Sequence, residues 1–386
     1  MKIAIEAQRV FRKKKHGMDI VALELIRHLQ LIDKVNEYFI LVRPDHDSSV
    51  LAKTDNFHII EIPGRPYPVW EQYYLPKIIK KIKPDIIHCT SNTAPINAGV
   101  PTILTLHDIL FMQKIDLLKG TLYQRLGNMY RKWIVPKIIY KSKKIITVSN
   151  YEKGEIQRFF SLPFDGVKVI YNSYNPNFKQ IADKAILTPC KQKYNLPNQF
   201  VLYLGNTHPN KNLRNVLKAF HSLRDKHHIS ISLVMPDIKQ EYLDRILREQ
   251  GTPHLKDAII LTGYVPNDEL KYIFNLATIF LYPSFYESFG IPMIEAMACG
   301  IPVIASSRAA MPEISGDSTL MINPDSPDEI ANAIKRILSD SQLYAQLKDA
   351  GLRRASFFSW SKTASEMVKI YETAAVREGS LLDTKI

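Results

Sequence analysis

Short runs of β-branched and aromatic residues alternate with longer segments of helical period along nearly all of this 386-residue chain, and few folds accommodate that alternation. Runs that read as strands are Lys2–Glu6, Tyr38–Val42, Phe57–Ile60, Asp85–His88, Thr102–Leu106 and Lys144–Val148. Helical candidates lie between them at about 17–31, 70–83, 121–142 and 151–159. The order predicts a parallel sheet covered by helices on both faces. The alternation restarts at Val167–Tyr171 and continues through Phe200–Leu204, Ile231–Met235, Ala258–Leu261, Thr278–Tyr282, Pro302–Ala305 and Leu320–Ile322. Around 172–198 the chain turns polar and irregular, with Asn172, Asn175, Pro176, Asn177, Pro189 and Pro197, and a domain junction is expected there. The length exceeds one ordinary core. The expected class is therefore α/β, with two doubly wound domains facing a cleft at the carboxyl ends of both sheets, where such folds bind ligands.

Composition narrows the setting. No run approaches the roughly 20 apolar residues that cross a bilayer. The first residues place their apolar side chains before most of their charges, the reverse of a secretory signal, and residues 2–6 read as a core strand instead. Cys89, Cys190 and Cys299 lie far apart without metal-ligand spacing, which favours a reducing cytoplasm. The net charge of +13 is uneven: residues 1–170 hold 27 basic against 16 acidic side chains, whereas the remainder is nearly balanced. An anionic partner for the first half, whether membrane, phosphorylated acceptor or nucleic acid, competes with a merely solubilising surface.

The stretch richest in chemistry is Tyr282-Pro-Ser-Phe-Tyr-Glu287-Ser-Phe-Gly290-Ile-Pro-Met-Ile-Glu295-Ala-Met-Ala-Cys-Gly300-Ile-Pro-Val. A strand ends near Tyr282, Glu287 projects from the loop, and Gly290 permits close backbone approach. Pro292 suits the first turn of a helix and Gly300 a left-handed cap. Unpaired amides at such a helix start suit an anion such as diphosphate. Glu295, within about a turn of that start, is placed to accept both hydroxyls of a ribose. The bland alternative makes Glu295 a complement to the helix dipole and Glu287 a solvated loop charge.

This stretch resembles the Glu-x7-Glu motif of family-4 glycosyltransferases, retaining enzymes of the GT-B fold with two Rossmann-like domains. The departure is Ser288, where glycine is commoner. The resemblance extends from Met1 to about Tyr371. Leu202-Tyr-Leu-Gly205-Asn-Thr-His-Pro-Asn-Lys211-Asn-Leu is similar to the family's second-domain glycine turn and Lys-Asn pair. The arginine common beside that glycine or lysine is replaced by Asn206 and Asn210, with Arg214 a possible substitute. Lys15-His-Gly17-Met-Asp19 is similar to the loop that faces diphosphate and acceptor. Thr105-Leu-His107-Asp108 resembles a strand-end pair whose histidine lines the transferred sugar, and Ile146-Thr-Val-Ser149-Asn150 matches a further strand-end signature. His88, at the end of another strand, is read as structural.

The resemblance implies roles. Glu287, His107 and Lys211 are the expected catalytic residues; Gly17, Gly205, Lys211, Phe289, Gly290, Ile291 and Glu295 are expected at the donor. Lys211 and the amides around Gly290 would stabilise departing diphosphate, and Glu287 would hold sugar hydroxyls and the developing positive ring. No Asp-x-Asp loop stands among the donor-site candidates, so departure without metal and no cofactor are expected. Front-face attack assisted by a leaving phosphate oxygen is favoured over a covalent glycosyl-enzyme. The donor would be a nucleotide-diphosphate sugar, with mannose plausible, and the acceptor a glycan or a polyprenyl-linked oligosaccharide of surface polysaccharide synthesis. Expected domains are residues 1–175 on the acceptor side and 176–365 for the nucleotide sugar, with 366–386 a helix or tail returning to the first. Two other readings stay open: a phosphorylase or nucleotide-sugar epimerase on the same fold, and a nucleic-acid binder, although no zinc pattern or RNP-like strand supports specific nucleic-acid recognition. Two basic, aromatic-bearing segments, residues 70–83 and 123–144, suggest a cytoplasmic protein that touches an anionic membrane; core packing of Ile78, Ile79, Ile82 and Trp133 is the alternative.

Overall fold

The computed structural model describes residues 1–64, 66–112, 122–163 and 165–375, apart from the side chains of residues 122–124. The chain divides into two compact units, Met1–Asn172 with the segment from Trp360 onward, and Ser173–Ser359.

The first unit is built on seven strands: β1 (Lys2–Glu6), β2 (Glu37–Val42), β3 (Phe57–Glu61), β4 (Ile86–Cys89), β5 (Thr102–Thr105), β6 (Lys144–Thr147) and β7 (Val167–Val169). They pair in the order β3-β2-β1-β4-β5-β6-β7, all parallel. The two-residue period sorts side chains to opposite faces. Ile3 and Ile5 pack with Tyr38 and Ile40 beneath Ile26 and Leu29 of the helix Gly17–Ile32. Met367, Ile370 and Tyr371 of the helix Trp360–Ala375 complete that face. Ala4, Leu41 and Ile87 face the other way, against Trp70, Leu75, Ile79, Ile134 and Ile138. Each large aliphatic side chain removed from water contributes roughly 1.5–3 kcal/mol before entropy is counted.

One helix departs from its simple expectation. Residues 67–82 begin as a helical turn at Tyr67–Val69, widen into a π turn at Trp70–Tyr74 and resume as an α-helix at Leu75–Ile82. The amide of Leu75 reaches the Trp70 carbonyl, and Pro76 has no amide to offer, so the hydrogen-bond ladder slips by one residue. The slip turns Trp70 and Glu71 fully inward.

The second unit carries β8 (Phe200–Tyr203), β9 (Ser232–Pro236), β10 (Ile259–Gly263), β11 (Ile279–Tyr282), β12 (Val303–Ser306) and β13 (Leu320–Ile322). This sheet is also parallel, ordered β10-β9-β8-β11-β12-β13. Val216, Leu217 and Phe220 of the helix Leu213–Asp225 pack with Val201, Leu233 and Leu281 in one core.

The return to the first unit begins at Trp360, six residues before the expected boundary at 366. The reason is physical: Trp360–Ala375 is one helix, and its first turn is already tied down there. Thr363 donates to the Tyr171 carbonyl at 2.7 Å, and the rings of Trp360 and His28 lie 6.5 Å apart. The expected tail beyond Ala375, and residue 121 of the helical candidate 121–142, lie outside the described residues. Among the described residues no helix is long and apolar enough to cross a membrane.

Candidate active site

In the second sheet the strand order reverses between β8 and β11, and a doubly wound fold opens a crevice at the carboxyl ends of such a pair. The loops that follow these two strands carry Lys211 and Glu287. After β8, Gly205 makes room for the Tyr203 ring, since a Cβ there would fall 2.2 Å from Tyr203 Oη. That hydroxyl donates to the Lys211 carbonyl at 2.8 Å and holds the turn Pro209–Lys211. Asn212 follows with φ 65°, a left-handed conformation that asparagine tolerates better than most residues. Its buried amide donates to the carbonyls of Pro283 at 3.0 Å and Pro324 at 2.6 Å, and the Phe285 amide donates to Asn210 O at 2.8 Å. Three loops are thereby laced together. The result places Lys211 Nζ 2.5 Å from Glu287 Oε1, 3.4 Å from Tyr282 Oη and 5.2 Å from the centre of the Tyr282 ring.

Gly290 starts the helix Ile291–Ala298 at φ 89°, a left-handed conformation that favours glycine, and its missing side chain leaves room for the end of Met311. The amides of Gly290 and Ile291 have no acceptor among the described residues, and Pro292 has no amide at all. Unpartnered amides at a helix start are anion ligands. Phe289 is buried, its ring centre 5.6 Å from that of Phe358 in an edge-to-face arrangement. Glu295 is 9% exposed and its carboxyl finds no hydrogen bond or ion pair among the described residues. Burial pushes this carboxyl up to about 8. It lies beyond the first turn, so a complement to the helix dipole does not account for it.

The second unit also reveals groups that sequence reasoning passed over. His208 Nδ1 accepts from the Asn210 amide at 3.2 Å, which leaves the proton of the neutral ring on Nε2. Burial first, and Lys211 second, hold this imidazole below its usual range, against the opposing pull of Glu287. Asn206 is spent on the turn, accepting from the His208 amide at 2.9 Å. Arg214, the expected substitute cation, is instead paired with Glu249, because its position on the helix turns it toward the neighbouring helix Gln240–Gln250.

In the first unit, Gly17 opens its helix with nothing within 4 Å of where a Cβ would stand. The Asp19 carboxylate accepts from the His16 amide at 3.1 Å and closes the first turn. His107 follows β5; its amide donates to Asn92 Oδ1 at 2.6 Å and its Nε2 to the Thr90 carbonyl at 2.9 Å. A carbonyl can only accept, so the ring proton sits on Nε2 and Nδ1 is left as an acceptor. Burial, ahead of the opposing contributions of Thr90, Asp108 and Asp19, lowers its basicity and keeps it neutral. A small cavity is lined by His107 and Thr90 together with Val21 and Ala22 from the helix that Gly17 begins. His88 lines it too, but both its ring nitrogens are engaged, with Tyr371 Oη at 2.8 Å and Thr105 Oγ1 at 2.7 Å. A roomier cavity, lined by Ala94, Gly99, Thr102 and Lys141, opens at the start of β5, away from these groups.

A buried acid pair stands at the reversal point of the first sheet, where Glu6 of β1 pairs with Cys89 of β4. Burial, then the charge of Glu71, pushes Glu6 up to about 7, and its Oε2 has no hydrogen bond. Glu71 accepts from Tyr67 and Thr93 at 2.5 Å each, from Gln72 at 2.9 Å, and from Tyr130. The only sequence signal was a carboxylate ending a strand whose other inward residues are apolar.

The model of Glycosyltransferase Family 4 matches residues 16–178, and that of Glycosyl transferases group 1 matches residues 189–354. O-antigen chain mannosyltransferase B of Escherichia coli is 32% identical over 239 residues, covering 60% of this chain and 61% of that protein. Serotype-specific mannosyltransferase WbdA of Escherichia coli is 30% identical over 302 residues, covering 74% of this chain and 36% of that protein. The chain thus spans less than two thirds of the length of these relatives. The crystal structure of Anabaena HepE in complex with UDP shares the fold at a TM-score of 0.75 and 16% identity, over 97% of this chain and 100% of that one.

Proposed function

Since the chain belongs to family 4 of the glycosyltransferases, we propose that it moves a hexose, mannose foremost, from a nucleoside-diphosphate sugar to a glycan or polyprenyl-linked acceptor of surface polysaccharide synthesis, retaining the anomeric configuration. The observation that carries this reading is the convergence of a lysine, a carboxylate and two unpartnered amides at the reversal point of the second sheet. In this reading the diphosphate docks on the amides of Gly290 and Ile291 and draws Lys211 away from Glu287. These donors are in place before the glycosidic bond lengthens, so they stabilise the departing charge without reorganising. The freed Glu287 carboxylate meets sugar hydroxyls and the developing positive ring. Glu295 takes the ribose, because a buried carboxyl with no partner gains most from two hydroxyl donors. His107, neutral with Nδ1 open, accepts from a sugar hydroxyl, while the acceptor hydroxyl attacks from the face the diphosphate leaves. Lysine and amides supply the charge stabilisation a divalent ion would otherwise give, so departure proceeds without metal.

The mannosyl assignment rests on the two relatives' names, and peripheral membrane contact on the first unit's charge. The direct test is turnover of a panel of nucleotide sugars with polyprenyl-diphosphate-linked oligosaccharides, with and without EDTA. Acceptor-dependent transfer of mannose, unaffected by the chelator, is the expected outcome. Donor consumption that ignores acceptor would instead favour an epimerase or phosphorylase.

A further inference from the structure

The second sheet has another cluster at its opposite, amino-terminal edge. The helix Leu213–Asp225 runs back from the site described above and ends there, and the short helix Pro253–Ala258 leads from there into β10. His221 and Asp225, one helical turn apart, face His254 from the second of these elements. One donor atom from each of the three lies within 4.8 Å of the others. His221 Nδ1 is 3.1 Å from Asp225 Oδ2, and His254 Nε2 is 3.8 Å from Asp225 Oδ1. Ligands about 2.0–2.1 Å from a tetrahedral zinc ion stand roughly 3.3–3.4 Å apart, so the separations bracket what such a centre needs.

Two further observations call for a cation. His221 Nδ1 is shut off from solvent yet makes no hydrogen bond, since its approach to Asp225 lacks the geometry of one. Asp225 is the last residue of its helix, where the dipole disfavours a carboxylate. The nearby ammonium groups are occupied elsewhere, Lys226 with Asp328 at 3.6 Å and Lys256 with Asp244 at 3.4 Å.

We propose that His221, Asp225 and His254 form a binding site for a divalent transition-metal ion of the zinc class, which ties the end of the helix Leu213–Asp225 to the segment entering β10. Two imidazoles and a carboxylate are a borderline-soft donor set that suits zinc better than magnesium or calcium. The ion is structural and independent of the transferase reading, because its ligands stand at the strand ends away from Lys211 and Glu287. A simple pairing of the histidines with Asp225 is the competing account, and stoichiometric metal binding separates the two.

The experiment is titration of the tag-free full chain with zinc at pH 7.5 against a chromophoric chelator. One equivalent is expected to bind with micromolar or tighter affinity, at least tenfold weaker in His254→Ala and in Asp225→Asn. Zinc is expected to raise the melting temperature of the wild type and to leave that of His254→Ala unmoved. All three side chains are at least 40% exposed, so the variants retain their cores, which circular dichroism verifies. No binding at pH 7.5, or equal binding by a His221→Ala/His254→Ala double variant, overturns the proposal.

Discussion

Lys211 and Glu287 neutralise one another across 2.5 Å in the free protein, so anything that binds the lysine must first compete with the glutamate. Glu287→Ala is therefore expected to act in two directions. Turnover falls by a hundredfold or more, as befits a contact made mainly in the transition state, while affinity for free nucleoside diphosphate stays level or tightens a few-fold. Initial rates and calorimetry read the two effects separately, and parallel losses in both would remove Glu287 from the reacting sugar. Glu295 invites a test by pH. Its carboxyl stands near 8 in the folded protein against 4.5 when unperturbed. Below pH 4.5 it is neutral folded or unfolded and contributes nothing. Between 4.5 and 8 only the unfolded chain ionises, so folding loses about 1.4 kcal/mol per pH unit, and above 8 the loss is constant. Glu295→Gln is accordingly expected to be several kcal/mol more stable than wild type at pH 8, with the gain vanishing near pH 4; chemical denaturation at the two pH values checks this. Lys211, Glu287, Gly290 and Glu295 stood out in the sequence because they fall in two short stretches that resemble family motifs and read as a loop and a helix start. Asn212 as a three-loop tie, His208 beside the lysine, and the Glu6–Glu71 pair could not. Their importance depends on burial and on partners up to 112 residues away, which no local pattern encodes.

At the scale of elements the strands were the easiest to read, since a parallel strand buried on both faces is a nearly continuous apolar run whatever surrounds it. Their ends shifted by a residue or two, as for β4, where Cys89 pairs with Leu104 and Asp85 stays outside. The π turn at Trp70–Tyr74 was hidden because it arises from the order of one proline and one tryptophan socket, and leaves the apolar period intact. Its consequence reaches the membrane question. Ile79 enters the core, and Ile78 and Ile82 pack partly against it, so residues 70–83 turn their aliphatic face inward. The helix Leu122–Ile138 buries Ile134, Val135 and Ile138 but also carries an outward apolar stripe: Leu126, Met129 and Trp133 are each more than half exposed, with Lys137 Nζ 3.7 Å from the centre of the Trp133 ring. An exposed apolar stripe among basic residues is the pattern that settles at a headgroup boundary. Replacing Leu126, Met129 and Trp133 with glutamine is expected to abolish co-sedimentation with acidic vesicles at low salt, while Lys80, Lys81 and Lys83 to glutamine weakens it only partly. Indifference of the wild type to acidic vesicles would dismiss membrane contact altogether.

The molecule as a whole has an asymmetry of connectivity. The second unit is one continuous segment, Ser173–Ser359, whereas the first is assembled from both ends of the chain. The segment Ser173–Ser359 expressed alone is expected to melt cooperatively. Met1–Asn172 alone is expected to lack a cooperative transition until a peptide spanning Trp360–Ala375 is supplied, because Met367, Ile370 and Tyr371 close one face of its sheet. Calorimetry of the fragments, separate and mixed, decides the matter. The same connectivity sets a timetable on the ribosome. The strands of the first unit and the helix Gly17–Ile32 emerge early, but the helix that completes the cover over Ile3, Ile5 and Tyr38 is made only after another 187 residues, Ser173–Ser359, have been added. At about 5–20 residues per second that interval is roughly 10–40 s, during which part of an apolar sheet face stands uncovered and the later unit can fold before the earlier one is finished. Nascent chains stalled just short of Trp360 should accordingly be the form of this protein that chaperones hold longest.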